Sequence, residues 1–360
     1  MVTFRRSLFF VSVSALLASV ACSSPQSSSV ARIAPVRVTE AVQFDSDDPA
    51  IWVNRADPAK SLIIGTDKET GGGLYVFDLE GKIIREKTVS GLQRPNNVDL
   101  EYGLMLGGKP VDIAVTTERL TNKLRIFAVP TMAAVDGGGI EVFVGETLRD
   151  PMGISLYKRA SDGAVFAIVG RKSGPSGSYL WQYRLEDDGA GAVKATLVRK
   201  FGAYSGKKEI ESIAVDDAAG YVYYSDEMAG VRKYAADPDA AEAGRELAFF
   251  GQKDFARDVE GVSIYEVDAA TGYILVSDQQ RDTFNIYRRE GDAAGAHVHT
   301  LVKTVSLSTL ESDGSEVTSA ALSSAFPGGL FVAMSTDKTF HFYSWEQIAN
   351  APGEQLKSRK

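Results

Sequence analysis

Short apolar runs, in which polar residues alternate with apolar ones, recur along this chain and predict β-strands. In the segment 209–227, an alternating run is followed, after a glycine-containing turn, by the apolar run 221–224. This pattern is typical of a β-hairpin, which brings the start of its first strand beside the end of its second. Glu211 and Glu227 stand at those two positions. We therefore expect both carboxylates to share one edge of a sheet.

The two-strand unit recurs with a spacing of roughly fifty residues, which is typical of propellers and solenoids. Each copy is followed by a third strand and by a stretch that can form a fourth. Four strands in each of six repeats predict an all-β fold, a six-bladed β-propeller. Helix-period patterns are nearly absent, apart from one terminal turn at 345–350. The second strands begin near Leu62, Val111, Ala164, Tyr221, Tyr273 and Leu330.

A propeller brings equivalent positions of all its blades together around the central channel. The innermost strand runs along the channel wall and the next strand returns, so the marked positions meet at one mouth. The predicted first-strand positions are Asp48, Asn97, Met152, Glu211, Glu260 and Glu316. The predicted second-strand positions are Lys68, Arg119, Arg171 with Lys172, Glu227, Gln279 and Asp337. We expect a charged ring, basic in the early blades and acidic in the late ones.

Such a ring suits metal ions beside phosphate. Clustered carboxylates repel one another unless a cation lies between them. Ligand sets made only of oxygen suit calcium or magnesium, and a site built from several loops suits calcium. Lysine and arginine on the neighbouring arc suit phosphate, and the combination is what hydrolysis of a phosphate ester requires. A solvated charged face is the alternative, and it stays open for Asp337 and Lys172.

The N-terminal segment has the pattern of an export signal. Residues 1–21 combine two arginines with an apolar run that is too short for a membrane span. Cys22 lies where a bacterial lipoprotein signal is cut and acylated, which predicts a periplasmic or outer-membrane lipoprotein, or otherwise a secreted protein. Labelling with palmitate separates the two. We expect a serine-rich tether at 22–36, a propeller domain at 37–351 and a C-terminal tail at 352–360.

Charge narrows the range of partners. The net charge of −8 and the absence of basic runs argue against a nucleic-acid partner. The three histidines lie off the predicted ring, which argues against a histidine nucleophile. We expect membrane contact only through an N-terminal lipid anchor, and a monomer, since nothing in the pattern marks a dedicated interface.

Several short motifs resemble those of the β-propeller phytases, also called alkaline phytases. The resemblance runs from about residue 38 to 349 and rests chiefly on DDPAIW at 47–52, NNVD at 96–99 and DVEG at 258–261. It implies a calcium-dependent enzyme that hydrolyses myo-inositol hexakisphosphate to lower inositol phosphates and phosphate, as a 3-phytase-like phosphomonoesterase. In this family, water bridging calcium ions attacks phosphorus directly. Because an acidic protein repels an anionic substrate, we expect phytate to bind as its calcium complex.

The resemblance also implies roles for individual residues. The catalytic set is Glu211, Glu227, Asp258, Glu260, Lys68 and Arg119. The substrate-binding set is Lys68, Arg119, Arg171 and Gln279. The ligands for several calcium ions are Asp48, Pro49, Val98, Asp99, Glu211, Glu227, Asp258, Glu260, Asp313 and Glu316. Two features depart from the family pattern: Met152 replaces a tyrosine ligand, and the acidic stretch 311–316 is thinner.

Two other functions fit part of the pattern. A calcium-dependent lactonase on a similar scaffold needs essentially one metal ion, so Lys68, Arg119 and Arg171 argue against it. A non-catalytic surface lipoprotein that binds a ligand on the propeller face is the second alternative. Met152 and the stretch 311–316 favour it, whereas the intact carboxylates of the fourth and fifth repeats argue against it.

Overall fold

A computed structural model describes residues 1–3 and 32–359 of the chain. Nearly all of the predicted export signal, Cys22 and most of the predicted tether therefore lie outside the described residues. Among the residues that are described, no helix is long and apolar enough to cross a membrane.

The described chain from residue 32 onward forms six antiparallel sheets, five with four strands and one with five, and the predicted six-bladed β-propeller is confirmed. Outer strand β1 (Arg37–Val38) belongs to blade 6. Blade 1 contains β2 (Ser46–Trp52), β3 (Leu62–Asp67), β4 (Gly73–Phe77) and β5 (Val89–Ser90). Blade 2 contains β6 (Pro95–Leu106), β7 (Lys109–Glu118), β8 (Lys123–Val129), β9 (Ala133–Ala134) and β10 (Ile140–Glu141). Blade 3 contains β11 (Pro151–Lys158), β12 (Val165–Arg171), β13 (Leu180–Asp187) and β14 (Val193–Phe201).

Blade 4 contains β15 (Ile213–Asp216), β16 (Tyr221–Asp226), β17 (Gly230–Ala235) and β18 (Ala248–Phe250). Blade 5 contains β19 (Val259–Glu266), β20 (Gly272–Asp278), β21 (Thr283–Arg288) and β22 (Leu301–Ser306). Blade 6 contains β23 (Ser315–Thr318), β24 (Leu330–Ser335) and β25 (Thr339–Ser344), together with β1. The innermost strands β2, β6, β11, β15, β19 and β23 contact one another in this cyclic order and close the ring. Helix α1 (Trp345–Ala349) lies where the terminal turn was predicted, and single 3-10 turns cover Pro58–Lys60, Arg85–Lys87, Arg119–Thr121 and Gln279–Arg281.

The first and the last strand of the propeller, β1 and β25, lie side by side in blade 6. Strand β1 pairs with β25, so residues from the start of the propeller complete its last sheet. The N–H of Val36 donates to the carbonyl of Phe342 at 2.7 Å, and that of Ile33 to Ser306 at 2.9 Å. Ile33 and Val36 fall in the segment 22–36 that we predicted as a tether, so its described part is hydrogen-bonded to the blades.

Apolar side chains fill the interfaces between blades. Each of six clusters joins two neighbouring blades. Because side chains alternate across a strand, each middle strand contributes to two clusters. In β3, for example, Ile63 packs towards blade 6 and Ile64 towards blade 2. The fold therefore rests on packing between blades and leaves the channel wall free for polar residues.

β-Bulges at the start of innermost strands determine which side chains reach the mouth. In β6, Pro95 pairs with Glu118 and Val98 with Thr116, so two residues of β6 oppose one of β7. The strands β2, β11 and β19 have the same irregularity. A bulge bends the strand and re-aims its side chains. At each bulge, two residues of the innermost strand oppose one residue of the next strand. These two residues are Asp47–Asp48, Asn96–Asn97, Met152–Gly153 and Glu260–Gly261.

Candidate metal and phosphate site

The register of the innermost strands corrects three positions of the predicted ring. The equivalent residues are Asp47, Asn96, Met152, Glu211, Glu260 and Asp313. We predicted Asp48, Asn97 and Glu316 instead, and these line the channel below the mouth. For Asp48 and Asn97 the prediction was wrong because the extra residue of the bulge breaks the alternation by which positions are counted. Glu316 was wrong for another reason: it lies three residues beyond Asp313, in β23, whose pairing with β24 is regular.

A second ring follows the second strands and is marked by a common hydrogen bond. In each blade, one backbone N–H donates to the carbonyl of a residue that precedes the first strand, at 2.8–3.4 Å. The donors are Lys68, Arg119, Lys172, Glu227, Gln279 and Thr336. Blade 3 therefore contributes Lys172, not Arg171, and blade 6 contributes Thr336 where we predicted Asp337.

Arg171 does not reach the mouth. It is the last residue of β12 and only 1% exposed. Its Nη1 donates to Glu146 at 3.0 Å, and its guanidinium lies over the ring of Phe143 at 5.0 Å. Lys172 has the opposite surroundings: its side chain is 47% exposed and its ammonium lies 2.6 Å from Glu209. The structure therefore gives Arg171 a place between blades, and Lys172 a place in the site.

Lys68, Arg119 and Lys172 form the basic arc of the mouth. Lys68 Nζ donates to Asp47 at 2.8 Å and to Asp313 at 2.7 Å, which links blades 1 and 6. Burial disfavours its charge, but the two carboxylates raise the pKa of Lys68 above its usual range. Arg119 Nη1 donates to Asn96 Oδ1 at 3.1 Å. Lys68 and Lys172 are thus directed at carboxylates, and Arg119 at the amide oxygen of Asn96.

Asn96, which was not among the predicted site residues, connects the basic arc to the carboxylates of Asp47 and Glu211. Its Nδ2 donates to Asp47 at 3.2 Å and to Glu211 at 2.8 Å, while its Oδ1 accepts from Arg119. The doublets Asp47–Asp48 and Asn96–Asn97 were visible in the sequence, but only the register shows which member joins the ring.

Glu209, Glu211, Glu227, Asp258 and Glu260 form the mouth cluster. One carboxylate oxygen from each of Glu209, Glu211 and Glu227 lies within 4.8 Å of the others, and the same holds for Glu227, Asp258 and Glu260. Glu227 is shared by the two trios. Four of the five members were predicted, and Glu209 was missed. Two adjacent trios with a common carboxylate are a suitable frame for two neighbouring cations.

Buried oxygens without partners test whether the mouth cluster fits metal ions. Glu227 Oε1 and Glu260 Oε2 are fully buried and accept no hydrogen bond from any described residue. Burial raises the pKa of Glu227 to about 7 against the effect of the Lys208 ammonium, and Glu211 adds to the rise. Burial and the charges of Glu211 and Glu227 hold the pKa of Glu260 well above its usual range. A hard divalent cation would satisfy these oxygens.

Gln279 and Asp313 connect blade 5 to the basic arc: Asp313 contacts both Gln279 and Lys68. Gln279 Nε2 donates to Asp313 Oδ1, so the predicted polar site residue is brought to the ring. The neighbouring Gln280 receives the N–H of Asp258 at 2.7 Å and donates to its Oδ2 at 3.1 Å. The ring position of blade 3 has no side-chain oxygen, because it is occupied by Met152. Met152 is buried, and its backbone carbonyl accepts a hydrogen bond from Thr117 Oγ1 at 2.6 Å.

Asp48, Asp99 and Glu316 form a separate channel cluster. They line a cavity of about 90 Å³ on the axis, together with the predicted ligands Pro49 and Val98. Asp48 accepts the N–H of Val98 at 3.0 Å, and Asp99 accepts from Ser155 and Leu156 at 2.8 and 2.7 Å. Burial raises the pKa of Asp99 to about 6 and that of Glu316 to about 8. The predicted metal ligands therefore divide into two sets, with Glu316 in the channel and Asp313 at the mouth.

Comparison with known proteins agrees with this geometry. The family model described as Phytase matches residues 1–360. The 3-phytase of Bacillus subtilis (strain 168) is 31% identical over 327 residues, which are 86% of this chain and 81% of that relative. A match over the whole chain, with a six-bladed propeller and a mouth of carboxylates and bases, leads to one conclusion: the chain belongs to the phytase family.

Proposed function

We propose that this protein is a calcium-dependent phytase, which releases phosphate from myo-inositol hexakisphosphate and from lower inositol phosphates. One observation carries the proposal: two acidic trios that share Glu227 lie at the same propeller mouth as Lys68, Arg119 and Lys172. The trios suit oxygen-binding cations and the basic arc suits phosphate. The family and the 3-phytase relative support phytate as the substrate.

Calcium ions would be held at the mouth by the mouth cluster, with Asp47 and Asp313 beside it, and in the channel by Asp48, Asp99, Glu316 and the carbonyls of Pro49 and Val98. Bound calcium supplies Lewis acidity, which lowers the pKa of a water and neutralises charge on phosphoryl oxygens. The oxygen-only donor set favours calcium over zinc or copper. The partnerless oxygens of Glu227 and Glu260 are the structural reason to expect ions at the mouth.

The basic arc would bind and orient the phosphate groups. An ammonium has three donors, and Lys68 uses two of them on Asp47 and Asp313, which leaves one for a phosphoryl oxygen. The guanidinium of Arg119 makes one hydrogen bond to a described residue, so its fork keeps donors for phosphate. Lys172 is half-exposed at the edge of the mouth, where it can hold a second phosphate group of the same inositol phosphate.

Net charge supports a calcium complex as the bound form of the substrate. The protein carries −8 and phytate is highly anionic, so the two repel each other at long range. Cations bound to both partners would remove that repulsion. The three basic residues of the mouth also favour a phytase over the lactonase alternative, because a lactone is neutral and gains little from them.

Removal of calcium tests the proposal. Phosphate release from phytate should be lost in excess EGTA and restored by calcium, and the melting temperature should fall and recover in parallel. Each site that binds only the folded state contributes about 2.7 kcal/mol at a hundredfold excess of ion over Kd. Lactone opening, measured on the same sample, should stay at background. Full activity on phytate in excess EGTA would contradict the proposal.

A further inference from the structure

Lys208 is a basic residue of the mouth that was not among the predicted site residues. It lies in the loop before β15, three residues ahead of Glu211. Its ammonium contacts Glu227 Oε2 and lies 3.2 Å from Asp258 Oδ2 and 3.7 Å from Glu260 Oε1. These three carboxylates are one of the two acidic trios. Lys208 therefore occupies the middle of a group that also fits a divalent ion.

The loop holds Lys208 in this position. The hydroxyl of Tyr204 donates to the carbonyl of Lys208, and the Tyr204 ring packs on Tyr179 at 4.5 Å. Ser205 binds Asp226 through its N–H at 2.8 Å and its hydroxyl at 2.7 Å. The backbone of the loop is thus fixed at several points, and the ammonium is directed at the trio by the fold.

The neighbouring lysine offers a direct contrast. Lys207 Nζ donates to the carbonyl of Met228 at 2.9 Å and contacts no member of the trio. The two residues have the same charge and adjacent places in the chain, but only Lys208 faces the carboxylates. Their difference is therefore one of direction and not of net charge.

One ammonium does not satisfy the trio. Glu227 Oε1 and Glu260 Oε2 remain without a hydrogen-bond partner among the described residues, and both residues are at most 1% exposed. An ammonium carries one charge, whereas the trio offers three carboxylates. The Lys208 side chain is 34% exposed, so it has a route out of the trio. The geometry thus allows exchange of Lys208 for a stronger cation.

We propose that Lys208 is an internal competitor for metal: its ammonium and a divalent cation take the same trio in turn. It lowers the affinity of Glu227, Asp258 and Glu260 for calcium, and it stabilises these carboxylates when calcium is absent. Lys208 thereby sets the calcium concentration at which this part of the mouth fills. The inference rests on the proposed function, since it takes the trio as a set of metal ligands.

Calcium binding to the full-length protein tests this competition without any assay of activity. Metal-free wild type and Lys208→Gln are titrated with calcium by isothermal calorimetry, and their melting temperatures are measured with and without calcium. Loss of the competing charge should raise the affinity of one class of sites about tenfold, equal to roughly 1.4 kcal/mol. The melting temperature of Lys208→Gln should fall without calcium and equal or exceed that of wild type in saturating calcium.

Lys207→Gln is the matched control, because it removes the same charge from the adjacent residue. It should leave the calcium affinity and both melting temperatures unchanged. Lys208→Arg keeps the charge and should bind calcium with nearly wild-type affinity. Lys208→Met gives a second neutral variant if Lys208→Gln does not fold.

The outcomes separate this inference from the proposed function. If wild type binds calcium and the neutral Lys208 variants bind it equally or more weakly, Lys208 is no competitor and only the inference fails. If Lys207→Gln tightens binding as much as Lys208→Gln, the effect is one of net charge and the inference also fails. A wild-type protein that binds no calcium overturns both.

Discussion

The mouth cluster and the channel cluster lie on the same propeller axis but differ in what neutralises them. Carboxylates of the mouth cluster face the ammonium groups of Lys172 and Lys208. Those of the channel cluster accept hydrogen bonds from backbone N–H groups and one serine hydroxyl, and they form no ion pair with any described residue. One set of partners is flexible and charged, and the other is part of the sheet.

This difference indicates a division of labour. A lysine side chain can leave a carboxylate when a metal ion or phosphate arrives, so the mouth cluster can change its partners during a reaction. The partners of the channel cluster are held by the strands themselves. Its geometry changes only if the blades move apart, which suits an ion that stays bound and stabilises the ring. We therefore expect turnover to depend on the mouth and metal-linked stability to depend on the channel.

Exchange of one carboxylate for its amide in each cluster gives the largest expected contrast. Glu227→Gln removes the charge shared by both acidic trios. It should lower kcat on phytate at least about 100-fold, because under the proposed function ions held by the trios would stabilise charge at the reacting phosphate. Asp48→Asn should keep kcat within a few-fold in saturating calcium. It should lose about 2.7 kcal/mol of calcium-linked stability at a hundredfold excess of ion over Kd.

Phosphate release and calcium-dependent melting, measured on both variants, check this contrast. The wild type sets the reference for each quantity. Equal losses of kcat in Glu227→Gln and Asp48→Asn would mean that the two clusters act as one unit, and the division between mouth and channel would be wrong.

The repeat pattern predicted the blades well because it depends on features that lie close together in sequence. The predicted starts of the second strands at Leu62, Tyr221 and Leu330 coincide with those of β3, β16 and β24. In blades 1 to 5 the antiparallel strands follow one another along the chain, so short turns and alternation are sufficient to find them. Blade 6 is the exception, because its outer strand β1 comes from the start of the propeller. The early basic and late acidic halves of the ring follow from the same order.

Details at the mouth could not be predicted in the same way. Alternation gives the face of a residue only while the ladder is regular, and the bulges at Asp47–Asp48 and Asn96–Asn97 add one residue. Lys208 was missed for another reason. It lies in a loop, where no period shows that it turns inward and Lys207 outward. The sequence therefore located the ring positions to within one residue in blades 1 to 5 and to within three residues in blade 6.

Arg171 and Lys172 give a second test, on adjacent basic residues with opposite surroundings. Lys172→Ala should raise KM for phytate about tenfold and leave the melting temperature nearly unchanged, because its ammonium lies in a half-exposed ion pair. Arg171→Ala should cost about 3 kcal/mol of stability, because it empties space beside Phe143 and Trp181 and removes a buried hydrogen-bonded cation.

Kinetics on phytate and thermal melting of the two alanine variants distinguish these roles. Arg171→Ala that is still folded at the assay temperature should have a KM close to that of wild type. A large rise in KM for Arg171→Ala at unchanged stability would restore the role in substrate binding that we first predicted from the sequence.

The pH dependence of stability gives the smallest expected effect, a few degrees in melting temperature. The pKa values of Asp99 and Glu316 in the folded protein, about 6 and about 8, lie above their usual values of 3.8 and 4.5. The folded state therefore binds these protons more tightly than the unfolded state does. Their contribution to stability is complete below about pH 4 and is lost as the pH rises through 6 and then 8.

Calcium should remove this loss in the channel, because a bound ion takes the place of the protons. Melting of metal-free protein should thus decline from pH 5 to pH 8, while melting in calcium should stay flatter, so the gain from calcium grows with pH. Glu316→Gln cannot ionise and should flatten the metal-free curve between pH 6 and pH 8. A metal-free curve of Glu316→Gln as steep as that of wild type would assign the decline to the mouth cluster, whose Glu227 has a pKa of about 7.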